Sequence, residues 1–151
     1  MTCRQFTLAA VFLLLVCGIA ALAKKEETLD QLKARLATAN PEQKVGLCIE
    51  IADRQLDSAD ELFKAGKVEE ARAVVAEVIK FADQATDAST TSGKKMKHAE
   101  IEVRKMAHRL HDIKGTLNFD DQPPVQESID HLEHLRTLLL TKMFGTDKPK
   151  Q

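Results

Sequence analysis

One stretch of the chain decides the fold, and from residue 40 to residue 66 it reads NPEQKVGLCIEIADRQLDSADELFKAG. Its apolar residues recur at alternating spacings of four and three: Val45, Ile49, Ala52, Leu56, Ala59 and Phe63. This heptad pattern keeps one face of a helix apolar over about 20 residues. Asn40 and Pro41 are typical of a helix start, and Gly66 is typical of a helix end. We therefore predict one long amphipathic helix here.

The same alternation recurs in three later segments, which we predict to be long helices. The second stripe consists of Ala71, Val75, Val78, Ala82 and Ala85, and we expect its helix to end within the polar run 86–93. The third consists of Met96, Ala99, Val103, Met106, Leu110 and Ile113. The fourth consists of Val125, Ile129, Leu132, Leu135, Leu139 and Met143, in a helix opened by Pro123 and Pro124. A helical period is the main signal throughout.

The connecting segments complete the predicted architecture. Residues 28–31 form a capping-box sequence that opens a short helix carrying Leu29, Leu32 and Leu36. Residues 115–122 are predicted to be a loop in which Leu117 and Phe119 cover the end of the core. Four stripes of similar length joined by short loops are buried best as an all-α, antiparallel four-helix bundle with a short extra N-terminal helix.

Residues 1–23 have the three-part layout of a secretory signal peptide. Arg4 precedes an apolar run over residues 8–23, which ends in Ala21-Leu22-Ala23 and is followed by Lys24 and Lys25. We predict cleavage after Ala23 and a secreted or periplasmic location. The alternative is an uncleaved membrane anchor, although the run is shorter than the roughly 20 residues that span a bilayer. The predicted organisation is a signal peptide at 1–23, a helical bundle domain at 24–144 and a disordered tail at 145–151.

Composition and motifs argue against several classes of function. The net charge of −1 does not favour a nucleic-acid-binding protein. The chain has no Trp or Tyr, the side chains most enriched at tight protein interfaces. Cys48 is the only cysteine after residue 23, so no internal disulfide or CxxC pair is expected, and we interpret it as an inert buried thiol. Because no phosphate-binding loop, nucleophile elbow or haem motif is present, we predict a non-catalytic protein without a cofactor.

Two pairs of histidines are the only candidates for site chemistry. His108 and His111 lie three residues apart on the third long helix, and His131 and His134 lie three apart on the fourth. Residues at this spacing share a helix face, so either pair is a candidate ligand set for Zn²⁺, Cu²⁺ or Ni²⁺. At about 100° per residue, both pairs lie 100° or more away from their apolar stripes. We therefore expect solvated histidines, paired on the fourth helix with the carboxylates four residues earlier: Glu127 and Asp130.

Charge is distributed unevenly along the chain. Residues 94–114 contain seven basic and three acidic side chains, whereas residues 42–87 contain eleven acidic and six basic ones. The first interpretation is a set of solvated, complementary helix faces. The alternative is a basic face for an anionic component of the cell envelope, such as a lipid headgroup.

The last long helix carries apolar residues outside its stripe. Leu138, Leu140 and Phe144 extend its apolar surface over roughly 240°. Either this helix is central in the bundle, or its C-terminal half contacts another molecule. We predict partner-binding residues at these three positions, for a protein partner or a second copy of the chain. No nucleic acid is expected, and membrane contact is expected only through residues 1–23 if they are retained.

The stretch LFKAGKVEEA at 62–71 resembles the inter-helix turn of a tetratricopeptide hairpin, in which Gly66 ends one helix and Ala71 permits close packing of the next. More broadly, the chain resembles small exported bacterial helical-bundle proteins of unassigned function. The combined prediction is an exported, non-catalytic helical module that binds a partner or serves a structural role in the cell envelope. The alternative is a metal-binding or metal-sensing helical bundle that uses its surface histidine pairs.

Overall fold

The computed structural model describes residues 27–145, so the predicted signal peptide and residues 146–151 of the predicted tail lie outside the described residues. It contains five α-helices: α1 (Leu29–Thr38), α2 (Pro41–Lys64), α3 (Val68–Ser92), α4 (Met96–Thr116) and α5 (Gln122–Phe144). A 3-10 turn, Phe119–Asp121, precedes α5. Between residues 27 and 145 there is no β-strand. The prediction of an all-α fold is confirmed.

The first two helices begin at the predicted caps. The side-chain oxygen of Asn40 accepts a hydrogen bond from the backbone N–H of Gln43 at 2.9 Å, and the Gln43 side chain accepts one from the N–H of Asn40 at 3.2 Å. Thr28 and Gln31 form the same reciprocal pair at the start of α1. Each pair satisfies backbone donors that a helix start leaves without partners.

The end of α2 is fixed by its glycine. Gly66 adopts a φ of 73°, in the left-handed region. The N–H of Lys67 donates to the carbonyl of Leu62 at 2.9 Å, and the N–H of Gly66 donates to that of Phe63 at 3.0 Å. These two bonds define a Schellman motif, which satisfies the last carbonyls of the helix. The turn then leads directly into α3.

The four predicted stripes form the core. Nearly all their members are buried, and Leu32 of α1 is buried with them. Met96, the first stripe residue of α4, and Met143, the last stripe residue of α5, are only half-buried. The most extensive contact between two helices is that of α2 with α3, followed by that of α4 with α5. In addition, α3 packs on α5, and α1 lies against α2. None of the helices described here is both long enough and apolar enough to cross a bilayer.

The third helix ends within the polar run 86–93, as predicted. It is helical as far as Ser92, with Thr86 and Ser89 buried. The hydroxyl of Ser89 donates to the carbonyl of Thr86 at 2.8 Å, and that of Ser92 donates to the carbonyl of Ala88 at 2.7 Å. Since the helix itself supplies acceptors for these hydroxyls, the run does not break it. The helix ends at Gly93, where φ is 68°.

Of the two residues predicted to cover the end of the core, only one does so. Leu117 is half-buried against the core, but Phe119 is 84% exposed. Phe119 and Asp121 lie in one 3-10 turn, where residues are about 120° apart and do not share a face. Asp121 takes the inward position, because it pairs with Arg72 of α3 at 2.9 Å. The aromatic ring is therefore left in solvent.

Candidate functional site

The four candidate metal-binding histidines are all exposed. His108 contacts Asp112 of its own helix, with 3.1 Å between ring nitrogen and carboxylate oxygen. His131 contacts Asp83 of α3 at 2.8 Å instead of the predicted Glu127. The other predicted partner, Asp130, accepts a hydrogen bond from Gln126 at 2.7 Å, so no Asp130–His134 pair forms.

This outcome corrects the predicted pairing on α5. Only the packing of α3 against α5 brings Asp83 to His131, and no local spacing in the sequence indicates that contact. Across residues 27–145, no three His, Cys, Asp or Glu side chains are close enough together to hold a metal ion. Each histidine pair would thus have to bind a metal with its own two ring nitrogens.

Cys48 is a buried thiol that lines a groove between α2 and α3. Its sulfur lies 3.8 Å from the side-chain oxygen of Gln84. Burial raises the pKa of the Cys48 thiol to about 11, and the nearby Lys44 ammonium only partly offsets this. A thiol that stays protonated at neutral pH is a poor nucleophile, which fits the expected inert role.

The basic and acidic segments meet across the surface between α2 and α4. The guanidinium of Arg109 donates to Asp53 at 3.2 Å and to Asp57 at 2.5 Å. At the beginning of the two helices, Lys94 pairs with Glu42 at 3.1 Å. These contacts support the interpretation of complementary helix faces for this part of the surface.

A second set of charges joins α4 to α5 and was not predicted. Glu100 is only 8% exposed, and it accepts a hydrogen bond from the Nε of Arg136 at 3.0 Å. This bond and a second one to Glu133 raise the pKa of Arg136. Near the other end of the same helix pair, Lys114 donates to Gln126 at 2.5 Å. The sequence shows Glu100 beside a stripe but gives no sign of its distant partner.

The candidate partner-binding residues lie where α5 runs past its neighbour. Leu138 and Leu140 are half-buried, whereas Phe144 is 74% exposed. The Glu100–Arg136 contact fixes the register: α5 continues for eight residues beyond Arg136, and α4 extends only four residues before Glu100. At 1.5 Å per residue, α5 overhangs the start of α4 by about 6 Å. This overhang accounts for the exposure of Phe144.

The turn between α3 and α4 lies at the same end of the molecule. Gly93 and Lys95 both have positive φ, 68° and 60°, and no side chain caps the start of α4. Lys94, Lys95 and Lys97 are exposed, and no acidic residue lies in the first turn of the helix. Among the described residues, only Lys94 of these three forms an ion pair. The turn therefore presents basic charge to solvent.

No protein-family model, curated protein or solved structure matches this chain. The tetratricopeptide-like character of residues 62–71 and the likeness to exported bacterial bundle proteins stay predictions.

Proposed function

We propose that this protein is an exported, non-catalytic helical module that binds a partner or serves a structural role in the cell envelope. The observation that carries the proposal is the apolar end of α5. Phe144 is 74% exposed on a helix whose stripe residues Val125 to Leu139 are buried. An exposed large apolar side chain beside half-buried leucines is typical of a contact surface.

We further propose that α2 to α5 form an antiparallel four-helix bundle, with α1 as the short extra helix. From one contact between α2 and α4 to the next, the residue numbers increase in both helices, as parallel helices require. The same holds for the contacts between α3 and α5. Contacts between α4 and α5 run in opposite senses. The pairs that support this are Glu42–Lys94 and Asp53–Arg109, Arg72–Asp121 and Asp83–His131, and Glu100–Arg136 and Lys114–Gln126. This arrangement places Phe144 at the same end as the α3–α4 turn.

The partner-binding part of the proposal is tested by Leu138→Glu. Because Leu138 is half-buried, the charge should leave the helix content by circular dichroism intact while shifting the sedimentation coefficient towards that of a monomer. Leu139→Glu is the matched control, since Leu139 is buried and a charge there should unfold the chain. If Leu138→Glu unfolds the chain as well, Leu138 belongs to the core and the contact surface is refuted. A chain that is monomeric even at high concentration would exclude self-association and require a different partner.

The location rests on residues 1–23 and needs its own measurement. We expect N-terminal sequencing of the protein recovered from the periplasm or the medium to begin at Lys24. Recovery of the full-length chain in the membrane fraction would instead show an anchor.

Titration with Zn²⁺ separates the proposal from the metal-binding alternative. We expect no saturable shift of the histidine NMR signals, because each exposed pair supplies only two ligands. A saturable shift lost in His108→Ala or His131→Ala would favour the metal-binding function.

A further inference from the structure

We infer that the end of the molecule formed by the α3–α4 turn and the C-terminus of α5 docks on an anionic lipid surface. The inference rests on the proposed function and names its partner. We call this end the basic end, and its members are Lys44, Lys94, Lys95, Lys97, Lys142 and Phe144. Lysines would meet the lipid phosphates, while the aromatic ring would enter the interface between headgroups and acyl chains.

The first support is a cluster of five lysines, most of which form no ion pair within the described residues. Lys94 pairs with Glu42, which places the α3–α4 turn beside the first turn of α2 and its Lys44. Lys142 lies in the last turn of α5, two residues before Phe144. All five lysines are exposed. Within the part of the chain that the structure describes, four of them form no ion pair, so their charge is available to an external anion.

The second support is that helix stability does not account for the lysines at the start of α4, Lys95 and Lys97. The N-terminus of a helix carries partial positive charge, so cations in the first turn of α4 are unfavourable for the helix. Lys64, Lys67 and Lys80, which lie in or next to α2 and α3, pair with carboxylates three or four residues away. Apart from Lys94, the lysines of the basic end differ from these three in having no such pair, and a negatively charged partner would relieve their repulsion.

The third support is the position of the exposed aromatic ring. Phe144 lies on the overhang of α5, about one helical turn beyond the first residue of α4. The ring and the lysines of the α3–α4 turn therefore lie at the same end of the molecule. This combination suits a membrane, where apolar side chains lie deeper than the cationic groups that contact phosphates.

The opposite end provides an internal contrast. Phe119 is also exposed, but Asp120 and Asp121 follow it directly and Glu127 lies in the next helix. An anionic surface would repel this end while attracting the other. The two exposed phenylalanines thus predict a single orientation, with the basic end facing the lipid.

An anionic bilayer fits these features better than a small anion does. The lysines come from three different segments, and only Lys44 lines the groove that contains Cys48, so together they match a plane of many phosphates more closely than one enclosed ligand. A lysine at such a surface contributes about fivefold to the binding constant, so several together with one aromatic side chain give measurable binding.

Co-sedimentation of the exported chain with lipid vesicles tests the inference. Vesicles of phosphatidylcholine with about one third phosphatidylglycerol should bind it, pure phosphatidylcholine vesicles should not, and added salt should weaken the binding. Lys95→Gln with Lys97→Gln should lower the binding constant about 25-fold, and Phe144→Ser about tenfold. Any contribution of residues 24–26 and 146–151 is common to all variants and cancels in these ratios.

Matched controls lie away from the basic end. Lys67→Gln with Lys80→Gln removes the same charge, and Phe119→Ser removes the other exposed ring; both should bind as the unaltered chain does, within about twofold. Equal losses in the control and test variants, or equal binding to neutral vesicles, would overturn the inference. Absence of vesicle binding would also overturn it, while a sedimentation shift in Leu138→Glu would leave the proposed function standing.

Discussion

The two ends of the molecule are closed in different ways. At the end that contains the Phe119–Asp121 turn, Arg72 of α3 bonds to Asp121, and the side chain of Gln122 donates to the carbonyl of Leu117 at 3.1 Å. At the basic end, the contact between Lys94 and Glu42 is the one ion pair of the α3–α4 turn within the described chain. The polar side chains at the end with the Phe119–Asp121 turn therefore bond within the molecule. At the basic end, most lysines form no ion pair in the described chain and can contact an external partner.

Backbone conformation shows the same difference. The turn before α5 uses ordinary negative φ values, from −60° at Asn118 to −93° at Asp121. The α3–α4 turn contains two residues with positive φ, one of which is Lys95. A lysine gains nothing locally from the left-handed region, where a β-carbon is unfavourable. The end that contains the Phe119–Asp121 turn, which we call the acidic end, is thus closed with ordinary backbone conformations, whereas the basic end holds a lysine in an unfavourable one.

The largest expected effect comes from the core that both ends share. Leu56 is fully buried near the middle of α2, so Leu56→Ala should lower the free energy of unfolding by about 2–4 kcal/mol through lost apolar burial and a cavity. Urea denaturation measures the loss. Hydrogen exchange at both ends should show equal destabilisation if the helices unfold as one unit. A loss below about 0.5 kcal/mol would show that Leu56 does not support the core, and unequal losses would show that the ends unfold separately.

A smaller effect is expected from opening the acidic end. The side chains of Arg72 and Asp121 are only 28% and 24% exposed, so Asp121→Ala leaves a half-buried guanidinium without its cross-helix partner. We expect a loss of about 1–2 kcal/mol, which is below the cost for a fully buried pair. Asp120→Ala is the matched control, since Asp120 is exposed and forms no ion pair in the described structure. Equal effects of the two substitutions would show that the Arg72 contact does not close this end.

Most of the fold was predictable because its signals are local. The apolar stripes follow from helical periodicity, and the caps at Thr28 and Asn40 follow from residues three positions apart. The same local reasoning located the end of α3 within 86–93, but it did not show that Thr86 and Ser89 are buried there, which depends on packing. It misplaced Phe119, whose exposure follows from the distant contact between Asp121 and Arg72.

The candidate surfaces were less predictable for the same reason. The sequence indicated excess apolar residues at Leu138, Leu140 and Phe144, but only the register between α4 and α5 shows which of them is exposed. The sequence also showed the excess of basic residues in 94–114. Only the tertiary contacts show that Arg109 is neutralised by carboxylates of α2, whereas Lys95 and Lys97 are not neutralised. A binding surface is therefore best sought among the charged side chains that form no ion pair after folding.

The smallest expected effect separates stability from binding at the basic end. Lys95 has a φ of 60° at the start of α4, and glycine adopts this conformation without the penalty of a β-carbon. We expect Lys95→Gly to raise the free energy of unfolding by about 0.5–1 kcal/mol while lowering the affinity for anionic vesicles about fivefold. Urea denaturation and vesicle co-sedimentation measure the two quantities on one sample.

Lys97→Gly is the matched control for this comparison. It removes the same charge from within the first turn of α4, where glycine is unfavourable, so it should weaken vesicle binding to a similar extent while lowering stability by about 0.5–1 kcal/mol. The two variants should thus agree in binding and differ in the sign of their effect on stability. If vesicle binding instead followed stability, improving in Lys95→Gly and weakening in Lys97→Gly, the lysines would act through the fold, and the contrast between the two ends would not concern a partner.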